Sequence, residues 1–118
     1  MHGRRAAHAY AASLGDEAHE WLLALYVDPE LRLLAVDTVA RGGVSSCKLP
    51  IWRIINHGHL LKAAGFILVH NHPSGDARAS QADIEATRRL ADIGRDLEMP
   101  LLDHLIVAGH EIREVGYW

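Results

Sequence analysis

His70 and His72 stand one residue apart, and Ser80 and Asp83 follow within the next eleven positions, in the stretch HNHPSGDARASQAD. Neutral imidazole nitrogens and a carboxylate oxygen are donors that a divalent zinc ion takes. Three such protein ligands leave a fourth tetrahedral position open for water, the arrangement of a catalytic site. Zinc lowers the pKa of its water to about 7, which makes hydroxide available at neutral pH. The two histidines suit this chemistry if they end a strand, because side chains two apart on extended backbone point to the same side. A competing reading needs no metal. Ser80 with Asp83 three positions later resembles a capping box, although Glu or Gln is the usual partner, and the segment would then only begin a helix. The two readings coexist, since Ser80 can cap the backbone while Asp83 binds metal.

The elements around the motif must place it. FILVH, Phe66 to His70, has the length and composition of a buried strand. SQADIEATRRLADIGRDL is amphipathic, with Ile84, Thr87, Leu90, Ala91 and Leu97 on one face and Glu85, Arg88, Arg89 and Asp92 outside. Asp83 then falls in the first turn of that helix. PLLDHLIVAG, from Pro100 to Gly109, is a second buried strand, and EIREVGYW offers a further edge strand or contact surface. Upstream, Gly3 to Leu14 is alanine-rich and helical with Gly15 as its stop. WLLALYVD (Trp21 to Asp28) and LRLLAVDTVA (from Leu31) read as an antiparallel hairpin across the Asp28-Pro29 turn. From Pro50 to Ala64 the apolar spacing is helical, with Pro50 in the first turn and Gly65 at the stop, although Gly58 weakens the middle. The order is α-β-β-α-β-α-β with one possible added strand, which implies a sheet sandwiched by helices. His57 and His59 form a second H-x-H, but on a helix positions two apart face roughly opposite ways. They read as surface or half-buried histidines.

Composition narrows the classes. The chain has 118 residues, 49% of them hydrophobic, the size and make-up of a single folded domain over residues 1–118. No run of eighteen apolar residues exists, so a membrane-spanning helix is excluded. The N-terminal stretch lacks the unbroken apolar core of a secretory signal. Cys47 is the only cysteine, so neither an intrachain disulfide nor a cysteine zinc cluster can form. Its expected state is a small, partly buried side chain in a cytoplasmic protein. The net charge of −3 disfavours direct DNA binding by this chain alone, because phosphate neutralisation supplies most of such affinity.

The full spacing, H-x-H, seven residues, Ser, two residues, Asp, resembles the JAMM signature of the JAB/MPN metalloprotease superfamily. ILVHNHPSGD, SQADIEATRRLADIG and LLDHLIVAG are similar to the RadC branch, bacterial proteins labelled as DNA repair proteins. The resemblance runs from about Glu20 to Val115 and is densest between Ile67 and Gly109. It implies a cytidine-deaminase-like three-layer α/β/α sandwich, with a mixed sheet flanked by helices and Zn2+ held by His70, His72 and Asp83. It also implies a general-base glutamate that hydrogen-bonds the zinc-bound water at the start of a core strand. Glu20 matches that place best and Glu17 is its rival; either reads otherwise as a solvated helix-end glutamate. Ser80 would stabilise a tetrahedral oxyanion. Two departures stand out: Ala79 replaces the proline usual before the motif serine, and Pro50-Ile51 replaces a common Pro-Arg. The N-terminal helix-hairpin-helix region of fuller RadC proteins is not expected in this chain.

The leading expectation is therefore a zinc-dependent hydrolase of metallopeptidase, JAMM isopeptidase-like type, acting on a peptide or isopeptide substrate. The alternative is a non-proteolytic DNA repair or recombination accessory module that uses the fold as a scaffold and reaches DNA through partners; a homo-oligomer is open to either reading. Phosphodiester hydrolysis is a third option, without the second metal cluster that many nucleases use. Deamination is excluded, since one cysteine cannot supply an H-x-E and P-C-x-x-C site.

Overall fold

Gly65 to Asn71 is buried at every position, as a strand must be when helices cover both faces of its sheet. The computed structural model describes residues 1–41 and 49–116. Cys47 lies outside the described residues, as do the last two residues of the VGYW segment. The elements run α1 (Gly3–Leu14), β1 (Trp21–Val27), β2 (Leu33–Arg41), α2 (Ile51–Leu60), β3 (Gly65–Asn71), α3 (Gln81–Asp96), β4 (Leu101–Ala108) and β5 (Glu111–Glu114). The expected order holds, and the added strand is β5.

The five strands form one mixed sheet in the order β2-β1-β3-β4-β5. β1 is antiparallel to both β2 and β3, β3 is parallel to β4, and β5 is antiparallel to β4. Side-chain alternation divides the apolar residues between two faces. On one face Leu22, Tyr26, Phe66 and Leu68 pack against Ile54 and Ile55 of α2 and Leu90 of α3. On the other, Leu25, Ile67, Val69 and Leu105 lie beneath Ala6, Ala7 and Ala11 of α1. The result is a three-layer α/β sandwich, as expected, and β3 is its central strand.

Element ends differ from expectation for local reasons. β2 begins at Leu33 rather than Leu31, because Leu31 takes a left-handed φ of 65° and closes the turn with its N–H on Asp28 O at 2.9 Å. α2 stops at Leu60 rather than Ala64. Lys62 turns left-handed at φ 55°, and Ala63 N donates back to Gly58 O at 2.9 Å. Gly65, expected as the stop, is instead the first residue of β3. Gly58 stays in α2 because the helix lies close to Met99: a Cβ there would meet Sδ at 2.6 Å. Leu97, placed on the apolar face of α3 by spacing, lies past the helix end and is 40% exposed. His57 is half-buried with Nδ1 3.2 Å from Asp37 Oδ2, and exposed His59 has Nε2 2.8 Å from Leu97 O. Both hold surface contacts, in keeping with their helical setting.

Candidate metal centre

The end of β3 sorts its residues by parity. Phe66 and Leu68 face α2 and α3, while Ile67 and Val69 face α1, so His70 belongs to the first side and Asn71 to the second. His70 is 1% exposed. Its Nδ1 lies 3.8 Å from Asp83 Oδ1, beyond hydrogen-bond reach. His72 follows just past the strand, its ring 4.8 Å from that of His70 and nearly perpendicular to it. His72 Nε2 is 3.1 Å from Asp83 Oδ2, and its Nδ1 is 2.8 Å from the Asp76 carbonyl oxygen. A carbonyl only accepts, so Nδ1 carries a proton there. In the neutral ring Nε2 then carries the lone pair that a metal would take, the orientation that a second partner gives a ligating histidine.

Asp83 is held by its own helix. Ser80 is the N-cap of α3: Asp83 N donates to Ser80 Oγ at 3.0 Å, and Ser80 N donates to Asp83 Oδ2 at 2.9 Å. This is the reciprocal capping box suggested by spacing, closed by Asp rather than Glu. Asp83 Oδ2 thus meets both the Ser80 amide and the His72 ring. Burial pushes the Asp83 carboxyl up, but the bonds from His72 and Ser80 outweigh it and hold the group well below the usual carboxylate range. His72 is raised, chiefly by its bond to Asp83 and against the effect of burial.

Glu20 arrives from the opposite side of β3. It is the last residue before β1, half-buried, with Oε1 2.8 Å from His70 Nε2. Asn71, the middle residue of H-x-H, fixes it there. Asn71 Nδ2 donates to His19 O at 2.9 Å, and Trp21 N donates to Asn71 Oδ1 at 2.6 Å, so one buried side chain grips the backbone on both flanks of Glu20. Glu17 is exposed just beyond α1, with its N–H on Leu14 O. Of the two glutamates, Glu20 is the one that meets a motif histidine.

Among the described residues, one ligand atom each from Glu20, His70 and His72 lie within 4.8 Å of one another. Asp83 touches this group through His72 and approaches it at His70. The expectation assigned Asp83 to the metal and Glu20 to the water; the structure brings both carboxylates to the histidine pair. Two imidazoles and two carboxylates fit a nitrogen- and oxygen-liganded ion such as zinc. Beside them opens a groove of about 640 Å³ whose lining includes Glu20, His72, Ser80 and Asp83. The sequence reading missed Asn71 and Asp76. Period-two alternation could have drawn attention to Asn71, whereas Asp76 serves through its backbone and leaves no side-chain signal.

A mixed sheet covered by helices on both faces, with a histidine pair and two carboxylates gathered at the end of its central strand, defines an α/β domain of the JAB/MPN kind. The chain belongs to the RadC-like JAB domain family, which it matches over residues 2–114. A UPF0758 protein of Cupriavidus taiwanensis is 39% identical over 104 residues, 88% of this chain and 46% of that protein. A UPF0758 protein of Bordetella petrii is 39% identical over 103 residues, 87% of this chain and 46% of that protein. One from Streptococcus thermophilus is 37% identical over 107 residues, 91% of this chain and 47% of its own length. The chain therefore spans a little under half the length of these relatives. Among the described residues no helix is long and apolar enough to cross a membrane.

Proposed function

We propose that this domain is a zinc-dependent hydrolase of metallopeptidase type that cleaves an amide or isopeptide bond. The observation that carries the reading is Glu20 Oε1 at 2.8 Å from His70 Nε2, beside His72 and on the wall of an open groove. His70, His72 and Asp83 would hold the ion. Zinc, when bound, supplies Lewis-acid polarisation of a carbonyl and acidification of water. Glu20 takes a proton from the attacking water and delivers it to the leaving amine, as general acid–base catalysis requires. Asn71 keeps that carboxylate aimed by gripping the backbone on either side. Ser80 Oγ already accepts the Asp83 amide, so its hydroxyl proton is available to the developing oxyanion. Direct DNA binding forms no part of the proposal, since a net charge of −3 opposes the phosphate contacts that dominate such affinity.

Zinc content and amide hydrolysis are to be measured on wild type and on Glu20→Gln, across a panel of peptides and isopeptide-linked conjugates. Glu20→Gln is expected to keep its zinc and to lose about 100-fold or more in kcat, the usual range for removing a general base. A wild type that neither holds zinc nor cleaves any amide would sink the reading.

A further inference from the structure

One buried polar group near the centre has no role in that scheme. His104 lies within β4, is 4% exposed, and has its ring 5.9 Å from that of His70. Its Nδ1 is 2.9 Å from Thr87 Oγ1, and that hydroxyl donates to the Asp83 carbonyl oxygen at 2.6 Å. The hydroxyl has a single proton and it goes to the carbonyl, so the bond to His104 must use a proton on Nδ1. Nε2 is then a lone-pair acceptor. Among the described residues it is buried without a hydrogen-bond partner, a state that native interiors rarely leave uncompensated. His104 and Thr87 share the lining of a small cavity with His70 and Asp83. The cavity measures about 10 Å³, close to the ~10–15 Å³ at which a polar site admits one water.

The other side of this cavity has the complementary need. His70 Nε2 is the nitrogen nearest Glu20. When that nitrogen binds a metal, the ring proton must sit on Nδ1, and a ligating histidine almost always donates that proton to a partner. Asp83 Oδ1, at 3.8 Å, is too far to take it directly. We propose that His104 is a positioning residue for the His70–Asp83 side of the metal centre. It acts on Asp83 through the Thr87 hydroxyl and on His70 through one water that donates to His104 Nε2 and accepts from His70 Nδ1. The inference rests on the metal-binding part of the proposed function and on none of its catalytic steps.

The test reads zinc affinity directly, by competition with a chromophoric chelator near neutral pH, on wild type, Thr87→Val, Thr87→Ser and His104→Leu. Removing a partner of this kind costs about 10- to 100-fold in metal affinity. Thr87→Val and His104→Leu are expected to show that loss, while Thr87→Ser keeps the hydroxyl and stays close to wild type. Should His104→Leu fail to fold, the Thr87 pair decides the Asp83 arm. Proton–nitrogen correlation spectra of the zinc-loaded wild type decide the His70 arm: both His70 and His104 should carry their ring proton on Nδ1. Wild-type affinity in Thr87→Val, or a proton on Nε2 of either ring, overturns the inference. A wild type that binds zinc with these spectra but cleaves nothing removes the hydrolase reading and leaves this one standing.

Discussion

Asp83 Oδ2 answers two claims, the Ser80 amide at 2.9 Å and the His72 ring at 3.1 Å, so the helix cap and the centre share an atom. That sharing sets the pH response of the metal-free protein. His72 is raised in the folded state; its stabilisation is complete below the ordinary histidine value of about 6.5 and is lost as pH rises through the raised value. Asp83 is depressed; its share is present above about 3.9 and is lost as pH falls. His104 is pushed down to about 3 by burial, with His70 adding to the effect. From about 6.5 down to that value the unfolded chain binds a proton there that the folded chain does not, so acid destabilises. Stability without metal should therefore peak near pH ~6.5. Urea unfolding across pH checks this, and a maximum near pH ~5 or below would contradict the burial of a neutral His104. Much of this site was legible in the residues: the histidine spacing, the Ser80–Asp83 pair and Glu20 all come together in space. The partners of Asn71 and His104 were not, because they lie 50 and 17 positions away. Thr87 was placed on the apolar face of its helix by spacing, with nothing to show that its hydroxyl meets His104.

At the scale of elements, what positions the centre is how closely α3 folds back onto the sheet. The helix ends where Met99 N donates to Gly94 O at 2.7 Å, and Glu98 takes a left-handed φ of 58° to bring the chain round into β4. A Cβ on Gly94 would stand 2.5 Å from the Met99 carbonyl oxygen, a backbone atom that cannot rotate aside. Gly94→Ala should therefore destabilise the fold by about 1–3 kcal/mol, the usual range for overpacking, despite alanine's better helix propensity. Equilibrium denaturation measures it, and a stabilised variant would show that the turn relaxes freely. Helix and strand identities followed from apolar spacing, because each helix buries one face and the central strands bury both. Their ends did not, as at Leu31 and Lys62, where a left-handed residue sets the boundary without the glycine that would announce it.

In the whole molecule, the polar groups of the centre come from three separate places: Glu20 before β1, the histidines at the end of β3, and Asp83 in the first turn of α3. The fold class was readable because alternating helices and strands admit few layered solutions. The strand order was not, since the sequence contains no mark that seats β1 between β2 and β3. The parallel pairing of β3 with β4 requires a crossover, and α3 provides it. Glu20 reaches His70 only when β1 has docked along β3, across 50 positions of chain. Contacts of such sequence separation form late and slowly. An ion held by His70, His72 and Asp83, with Glu20 beside it, would find its complete site only once α3 has packed back on a β3 already paired with β1, in a nearly finished topology. Its binding energy would then fall on the escape from the native state rather than on the approach to it. Stopped-flow chevrons with zinc or chelator should differ in the unfolding arm and superimpose in the folding arm; a zinc-accelerated folding arm would mean the site assembles early. A metal bound here would act as a latch on a structure already built, and its kinetic signature would be the time the protein takes to come apart.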